Sequence, residues 1–180
     1  MSPALNLIPA VTFQIMENGR AVPITSEEVF SKRSVALFGV PGAFTPVCHY
    51  IHLPGVVADY ESFKTSDVDL VACTSVNDVY VMDAWRQALG VPEGLLFLAD
   101  GNGDFARGIG LTFDGRPLGL GERSKRYAMW VKNGSIQHLA IEPDLTEADV
   151  SSAYTLLRVF DNWSSGGIPL LTEEPAASNS

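Results

Sequence analysis

Residues 35–56 read VALFGVPGAFTPVCHYIHLPGV. Val35 to Val40 is an unbroken apolar run of strand length, the mark of a strand buried on both faces. Pro41-Gly42 then turns the chain. Thr45-Pro46 opens a helix, because threonine is a good N-cap and proline is favoured at the first helical position, where its missing N–H is an orphan in any case. On this register Val47 is the second helical residue and Cys48 the third. The sulfur therefore lies in the first turn, beside unpaired backbone N–H groups and the positive end of the helix dipole. Such a place stabilises an anion and favours the thiolate over the thiol. The Thr45–Cys48 spacing is also that of a capping box, which predicts that the two side chains meet. A free cysteine is often no more than a small buried hydrophobe. The Thr-Pro cap three residues upstream points instead to a reactive Cys48.

Outward from this stretch the chain alternates strands and helices. Val68 to Val76 and Leu95 to Ala99 are further apolar runs. Between them Asn77 or Asp78 can cap a helix that runs to Leu89 and stops at Gly90 and Pro92. Near the N-terminus, Val11 to Ile15 and Ala21 to Ile24 flank Asn18-Gly19, a hairpin signal, and Thr25 to Glu28 has the form of a capping box opening a helix through Phe30. Ala128 to Lys132 and Ile136 to Ile141 flank a second hairpin signal, Asn133-Gly134. Thr146 is expected to cap a last helix with Val150, Tyr154, Leu157 and Phe160 on its apolar face. The fold class expected is α/β: a thioredoxin-like fold, its mixed central sheet flanked by helices, with an N-terminal hairpin extension. The domain is expected to span 1–163. Residues 164–180, rich in small residues, Gly, Pro and acid, read as a mobile extension in which Ile168 to Leu171 is a docking segment.

The motifs then carry a resemblance. Pro41-Gly42-Ala43-Phe44-Thr45-Pro46-Val47-Cys48 matches the P-x-x-x-T-x-x-C signature of peroxiredoxins. His52 to Gly55, Ser75 to Asp78, Leu98 to Gly103 and Arg123 to Tyr127 resemble the type II, or peroxiredoxin-5-like, branch, and the likeness runs over nearly the whole chain. The resemblance implies a thiol peroxidase acting on hydrogen peroxide and small alkyl hydroperoxides in redox homeostasis, without metal or organic cofactor. Cys48 would be the peroxidatic nucleophile and become a sulfenic acid. Thr45 would orient the peroxide, the backbone N–H groups of Val47 and Cys48 would hold its oxygens, Arg126 would stabilise the thiolate and the leaving oxygen, and Pro41 would shield the sulfur. The partners implied are glutathione with glutaredoxin, or thioredoxin, as reductant, and a second copy of the chain in a homodimer.

Arg126 also stands out on its own. It ends the densest basic cluster of an acidic chain and immediately precedes an apolar strand, where an arginine is costly to bury unless it meets an anion. Arg123 and Lys125 read as solvent-facing or as reductant-docking residues. Cys73, within a strand-like run, reads first as a packing residue, and some type II members carry a cysteine there that is regarded as resolving. In peroxiredoxin-5-like members that resolve internally the second cysteine lies in the C-terminal helical region, and Thr146 to Leu157 has none, so the resemblance favours a one-cysteine cycle completed by an external thiol. His49 could tune Cys48 or the docking of a reductant. His52 reads as a structural hydrogen-bonder near the helix end, or as part of a dimer contact.

Composition excludes other classes. The 180 residues carry 12 Lys+Arg against 21 Asp+Glu, a net charge of −9, which argues against a nucleic-acid partner. No apolar run approaches the roughly 18 residues of a membrane span, and no secretory signal is visible, so a cytoplasmic protein is expected. Two cysteines and three histidines leave little for a disulfide framework or a metal site. Gly101-x-Gly103-x-x-Ala106 has the look of a dinucleotide fingerprint, but the glycine- and proline-broken stretch 112–121 offers no second strand before Glu122. A cysteine hydrolase using Cys48 with His52 or His138, and a non-enzymatic thioredoxin-like module acting as a thiol sensor or chaperone, are the remaining alternatives.

Overall fold

Asn18 and Gly19 both take positive φ, 49° and 75°, in the computed structural model, which describes residues 6–167. That backbone is what a two-residue hairpin turn demands. It joins β1 (Thr12–Glu17) to β2 (Arg20–Thr25) in antiparallel register. The capping box at Thr25 and Glu28 is formed in full and opens α1 (Ser26–Phe30). The wholly buried β3 (Ser34–Gly39) leads into the helical segment around Cys48, which continues through α2 (Leu53–Ala58) and α3 (Tyr60–Lys64). Next come β4 (Leu70–Ser75), α4 (Val79–Ala88) capped by the Asp78 carboxylate, β5 (Leu95–Ala99) and α5 (Asp104–Gly108). A small hairpin, β6 (Thr112–Asp114) with β7 (Glu122–Ser124), precedes β8 (Tyr127–Lys132), β9 (Ser135–Ile141) and α6 (Ala153–Ser164).

The main sheet has seven strands in the order β2-β1-β5-β4-β3-β8-β9. Its centre, β3 with β4 and β4 with β5, is parallel, and every other pairing is antiparallel. Alternation along the strands sorts the core into two layers. Phe38, Cys73, Phe97 and Trp130 pack with Leu53, Phe63, Trp85 and Phe160 of α2, α3, α4 and α6 on one face. Leu37, Leu98 and Met129 pack with Phe30 of α1 and Phe105 of α5 on the other. In β9 a bulge gives Gln137 no rung of its own, so Trp130 pairs with His138 while Val131 pairs with Ile136. Among the described residues no helix is long and apolar enough to cross a membrane.

Three sequence expectations are corrected. The last helix is capped by Ser152, whose hydroxyl accepts from Thr155 N, and not by Thr146, which is bound into a turn by Asp144. Its buried face is accordingly Ala153, Leu156 and Phe160, while Val150 and Tyr154 are exposed. The glycine-broken stretch after residue 111 does hold a strand, β6, whose partner β7 contains Glu122. The glycines that seemed to forbid it sit in the connecting turn, where Gly119 and Gly121 take positive φ. The fingerprint-like glycines have a local explanation too: Asp100 accepts from Phe105 N and Ala106 N, so a carboxylate of the chain fills the N-terminus of α5. Helix α6 ends one residue beyond the expected boundary at Trp163, and the extension's Ile168 to Leu171 lies outside the described residues.

Candidate active site

The site is built where β3 stops. Pro41 and Gly42 are buried, and the turn is pinned from β4: Asn77 Oδ1 accepts from Ala43 N at 2.9 Å and from Ser75 Oγ at 2.6 Å. Phe44 then adopts φ 63°, a conformation unfavourable for a side chain of its size, immediately before Thr45. Gly42 is closely packed; a Cβ there would lie 3.0 Å from Arg123 Nη1 and 3.1 Å from Thr45 Cγ2, so those side chains would have to shift.

The helix starts on the expected register, with Pro46 and Val47 helical and His49 N donating to Thr45 O at 2.8 Å. The capping box is not what Thr45 makes. Its hydroxyl donates to Gly42 O at 2.7 Å, because a threonine at the cap competes for the nearest turn carbonyl. From Cys48 to His52 the helix widens to a π turn, closed by Leu53 N donating to Cys48 O. Pro54 supplies a cause: it lacks an N–H and its ring crowds the carbonyl four residues back, so the turn before it opens.

Cys48 is fully buried, and Arg126 Nη1 donates to its Sγ at 3.3 Å. Arg126 is itself only 2% exposed. The same Nη1 lies 3.2 Å from His52 Nδ1, Nη2 donates to Leu145 O at 3.2 Å, and Nε is buried without a partner. None of its hydrogen bonds among the described residues reaches a carboxylate, so the sulfur is the one group it touches that can carry negative charge.

His52 Nε2 lies 2.8 Å from Ser151 O. A carbonyl only accepts and a guanidinium only donates, so the ring must be neutral, with its hydrogen on Nε2 and its lone pair on Nδ1 toward Arg126. Burial pushes the His52 pKa down to about 4, with the charge of Arg126 acting the same way and the Ser151 carbonyl opposing. Neither His52 nitrogen is free to take a proton from Cys48. His49 Nδ1 accepts from Trp85 Nε1 at 3.1 Å and is likewise engaged. His138, the other histidine considered, lies in β9 opposite Trp130. The hydrolase alternative thereby loses His52 as its general base.

Cys73 sits in β4 between Phe38 and Phe97, in the same apolar layer as Cys48, and both thiols are free. Burial holds the Cys73 pKa well above its ordinary value, the neighbouring Cys48 adds to this, and Arg126 opposes it. Arg123 donates from Nε to Leu120 O beside the site, and Lys125 N donates to Leu111 O. Sequence reasoning took the segment 142–151 only as the approach to the last helix and missed that it supplies the carbonyls of Leu145 and Ser151 that hold Arg126 and His52. A buried thiol at a helix start, facing an arginine across a thioredoxin-like sheet, defines a thiol-chemistry protein.

Comparison with known proteins narrows the class. Residues 4–157 match the Redoxin family. The hybrid peroxiredoxin hyPrx5 of Haemophilus influenzae is 40% identical over 153 residues, covering 84% of this chain but 63% of that longer protein, less than two thirds of its length. A peroxiredoxin of Synechocystis is 39% identical over 146 residues, covering 76% of this chain and 77% of its own. The crystal structure of reduced Prx3 from Vibrio vulnificus in complex with hydrogen peroxide superposes with a TM-score of 0.82 at 38% identity, covering 88% of this chain and 95% of that one. The chain belongs to the Redoxin family as a type II peroxiredoxin of thioredoxin-like fold.

Proposed function

We propose that this chain reduces hydrogen peroxide and small alkyl hydroperoxides at Cys48. The observation that carries the reading is the buried Arg126 Nη1 at 3.3 Å from Cys48 Sγ in the first turn of a helix. The thiolate attacks one peroxide oxygen; the S–O bond forms as the O–O bond breaks, and the leaving oxygen takes a proton to become water or an alcohol. Cys48 is left as a sulfenic acid. Backbone N–H groups of Val47 and Cys48, unpaired by their place in the first turn, hold the peroxide oxygens. Arg126 stabilises first the thiolate and then the charge growing on the leaving oxygen. Pro41, buried at the end of the β3 turn, keeps water from the sulfur. The Vibrio protein, solved with hydrogen peroxide bound, supports the substrate class.

Thr45 has a defined role in this reading. Its hydroxyl hydrogen is committed to Gly42 O, so Oγ1 can only accept, and it takes the hydrogen of the peroxide O–H. Thr45→Val is expected to slow the reaction of reduced protein with hydrogen peroxide by about 10- to 100-fold in stopped-flow, while Thr45→Ser retains most of the rate. Loss of the hydroxyl's bond to Gly42 O lowers stability by only about 1 kcal/mol.

The sulfenate is reduced by an external thiol, glutathione with glutaredoxin or thioredoxin: one thiol condenses with it, releasing water and leaving a mixed disulfide, and a second thiol frees Cys48. Cys73 shares the layer of Cys48, but burial in its strand disfavours the thiolate it would need to resolve the sulfenate. Two free cysteines and a need for thiol donors fit a reducing, cytoplasmic setting. A homodimer would cover Phe44, 48% exposed and stacked on His49, and Tyr50, 75% exposed and in T-shaped contact with the same ring. The peroxidase unit would be residues 1–163, with 164–180 an appendage.

Intact-protein mass after one equivalent of hydrogen peroxide tests the cycle on fully reduced protein. Gain of one oxygen, absent in Cys48→Ser, is expected. Loss of two hydrogens within one chain would replace the one-cysteine cycle by a Cys48–Cys73 disulfide, and no change within seconds would overturn the peroxidase reading.

A further inference from the structure

Glu142 is a buried carboxylate, 6% exposed, that forms no ion pair among the described residues. Its Oε1 accepts from Ser151 N at 2.8 Å and from Ser151 Oγ at 2.9 Å, whereas Oε2 is buried without a partner. Burying such a group is unfavourable unless its hydrogen bonds secure something. What they secure is the segment 142–151. Glu142 ties the two ends of that loop together, and two carbonyls within it hold the site: Leu145 O accepts from Arg126 Nη2, and Ser151 O meets His52 Nε2.

The sheet register explains how Glu142 reaches this place. Extending the turn at Asn133-Gly134 without interruption would set Ile141 opposite Arg126. The bulge at Gln137 shifts the outer rungs by one, so Tyr127 pairs with Ile141 and Glu142 N donates to Arg126 O at 2.9 Å. Because side chains alternate between faces, that shift exchanges the apolar residue for the acid beside Arg126.

We propose that Glu142 is a positioning residue for the peroxide reaction, acting through Ser151 and then His52 on Arg126. The proposal rests on the reading of Cys48 and Arg126 as the reacting pair. The relay is a chain of hydrogen bonds: Glu142 Oε1 fixes Ser151, the Ser151 carbonyl sets the His52 tautomer, His52 Nδ1 receives Arg126 Nη1, and Arg126 Nη1 meets Cys48 Sγ. Each member fixes the orientation of the next, and a guanidinium displaced by a fraction of an ångström loses the geometry that the transition state needs.

Only one carboxylate oxygen is used, which makes the proposal separable from a role for charge. In stopped-flow with hydrogen peroxide, Glu142→Ala is expected to react about 10- to 100-fold more slowly than the parent. Glu142→Gln keeps an acceptor oxygen for Ser151 and is expected to retain most of the rate. In a His52→Gln background, Glu142→Ala should add little further loss, because both changes cut one relay. A fast Glu142→Ala, a Glu142→Gln as slow as the alanine variant, or full additivity with His52→Gln would each overturn the relay. Should Glu142→Ala fail to fold, Glu142→Asp withdraws the carboxylate from Ser151 by one methylene; slow Asp with fast Gln supports the proposal, and fast Asp overturns it. Cys48→Ser is run alongside. If it still consumes peroxide, the assignment of the reacting pair falls; if it is inert while the Glu142 variants are unaffected, only the relay falls.

Discussion

Replacing Arg126 by methionine is expected to slow the reaction of Cys48 with hydrogen peroxide by about 100- to 1,000-fold, with no fall in melting temperature. The rate loss follows from the loss of a preorganised donor aimed at developing charge, which in a water-excluded site is commonly worth that much. The stability side follows from what surrounds the guanidinium. Arg126 is buried with a positive charge, an unpartnered Nε and no carboxylate among its hydrogen-bond partners in the described residues. Replacing it by an apolar side chain of similar length removes the desolvation cost of the charge and strands no carboxylate, and this offsets the donors lost to Leu145 O and His52 Nδ1. Methionine's unbranched, flexible chain suits the irregular gap. Opposite signs for rate and stability would mark Arg126 as a group kept for chemistry at the expense of the fold. Arg126→Lys separates charge from geometry: a single ammonium cannot reach Cys48 Sγ, His52 Nδ1 and Leu145 O together, so most of the rate should still be lost. A methionine variant that reacts within a few-fold of the parent would remove Arg126 from the reaction. One that is as slow as expected but strongly destabilised would mean that the guanidinium is structural first.

How much of this could be read from the chain depended on whether a signal was local. The hairpins at Asn18-Gly19 and Asn133-Gly134, the box at Thr25 and Glu28, and the cap at Asp78 are each set by residues a few positions apart, and all are present. The apolar runs of β3, β4 and β5 were legible because a strand buried on both faces has no polar side to confuse it. The last helix was misplaced because Thr146, Ser151 and Ser152 are all capping types, and tertiary contacts decide among them. Thr146 is drawn into a turn with Asp144, and Ser151 is claimed by Glu142. At the site, Thr45, Cys48 and Arg126 were visible as residue types in a pattern, and the structure brings Cys48 and Arg126 together. The hydrogen-bonding part assigned to His52 could be inferred, but its partners could not. One of them, Ser151, lies 99 residues later in a segment whose placement depends on a one-residue bulge in β9, and a hairpin motif carries no mark of that bulge. Cys73 shows the opposite limit: its position in a strand was clear, yet its closeness to the active-site layer emerges only from the register of β3, β4 and β5.

Stability should depend on His52 through pH, with a sign fixed by its surroundings. The ring is neutral in the folded protein because its pKa is lowered from 6.5 to about 4, first by burial and then by the charge of Arg126. The unfolded chain, with the ordinary value, binds the proton more readily. Between those two values the unfolded state therefore holds more protons, so stability rises with pH there. The contribution is fully present above pH 6.5 and is lost as pH falls through the window toward 4, by about 3 kcal/mol in total. His52→Gln removes the titration. It also removes the edge contact of the ring with Phe38, at 5.8 Å between centroids, but that loss does not vary with pH. Urea unfolding of parent and His52→Gln at several pH values isolates the effect, since the other acid-sensitive groups are common to both. The parent's advantage should be greatest at pH 7 and should shrink steadily between pH 6.5 and 4. A constant difference across that range would mean that His52 is not held neutral, and the tautomer that presents its lone pair to Arg126 would lose its support. A shrinking difference ties the acid limit of the fold to the same imidazole that places the guanidinium on Cys48. The peroxide rate of the parent should then hold through most of that window and fall only near pH 4, where the folded protein itself takes up the proton, because a protonated His52 turns a donor toward Arg126 Nη1 where an acceptor had held it.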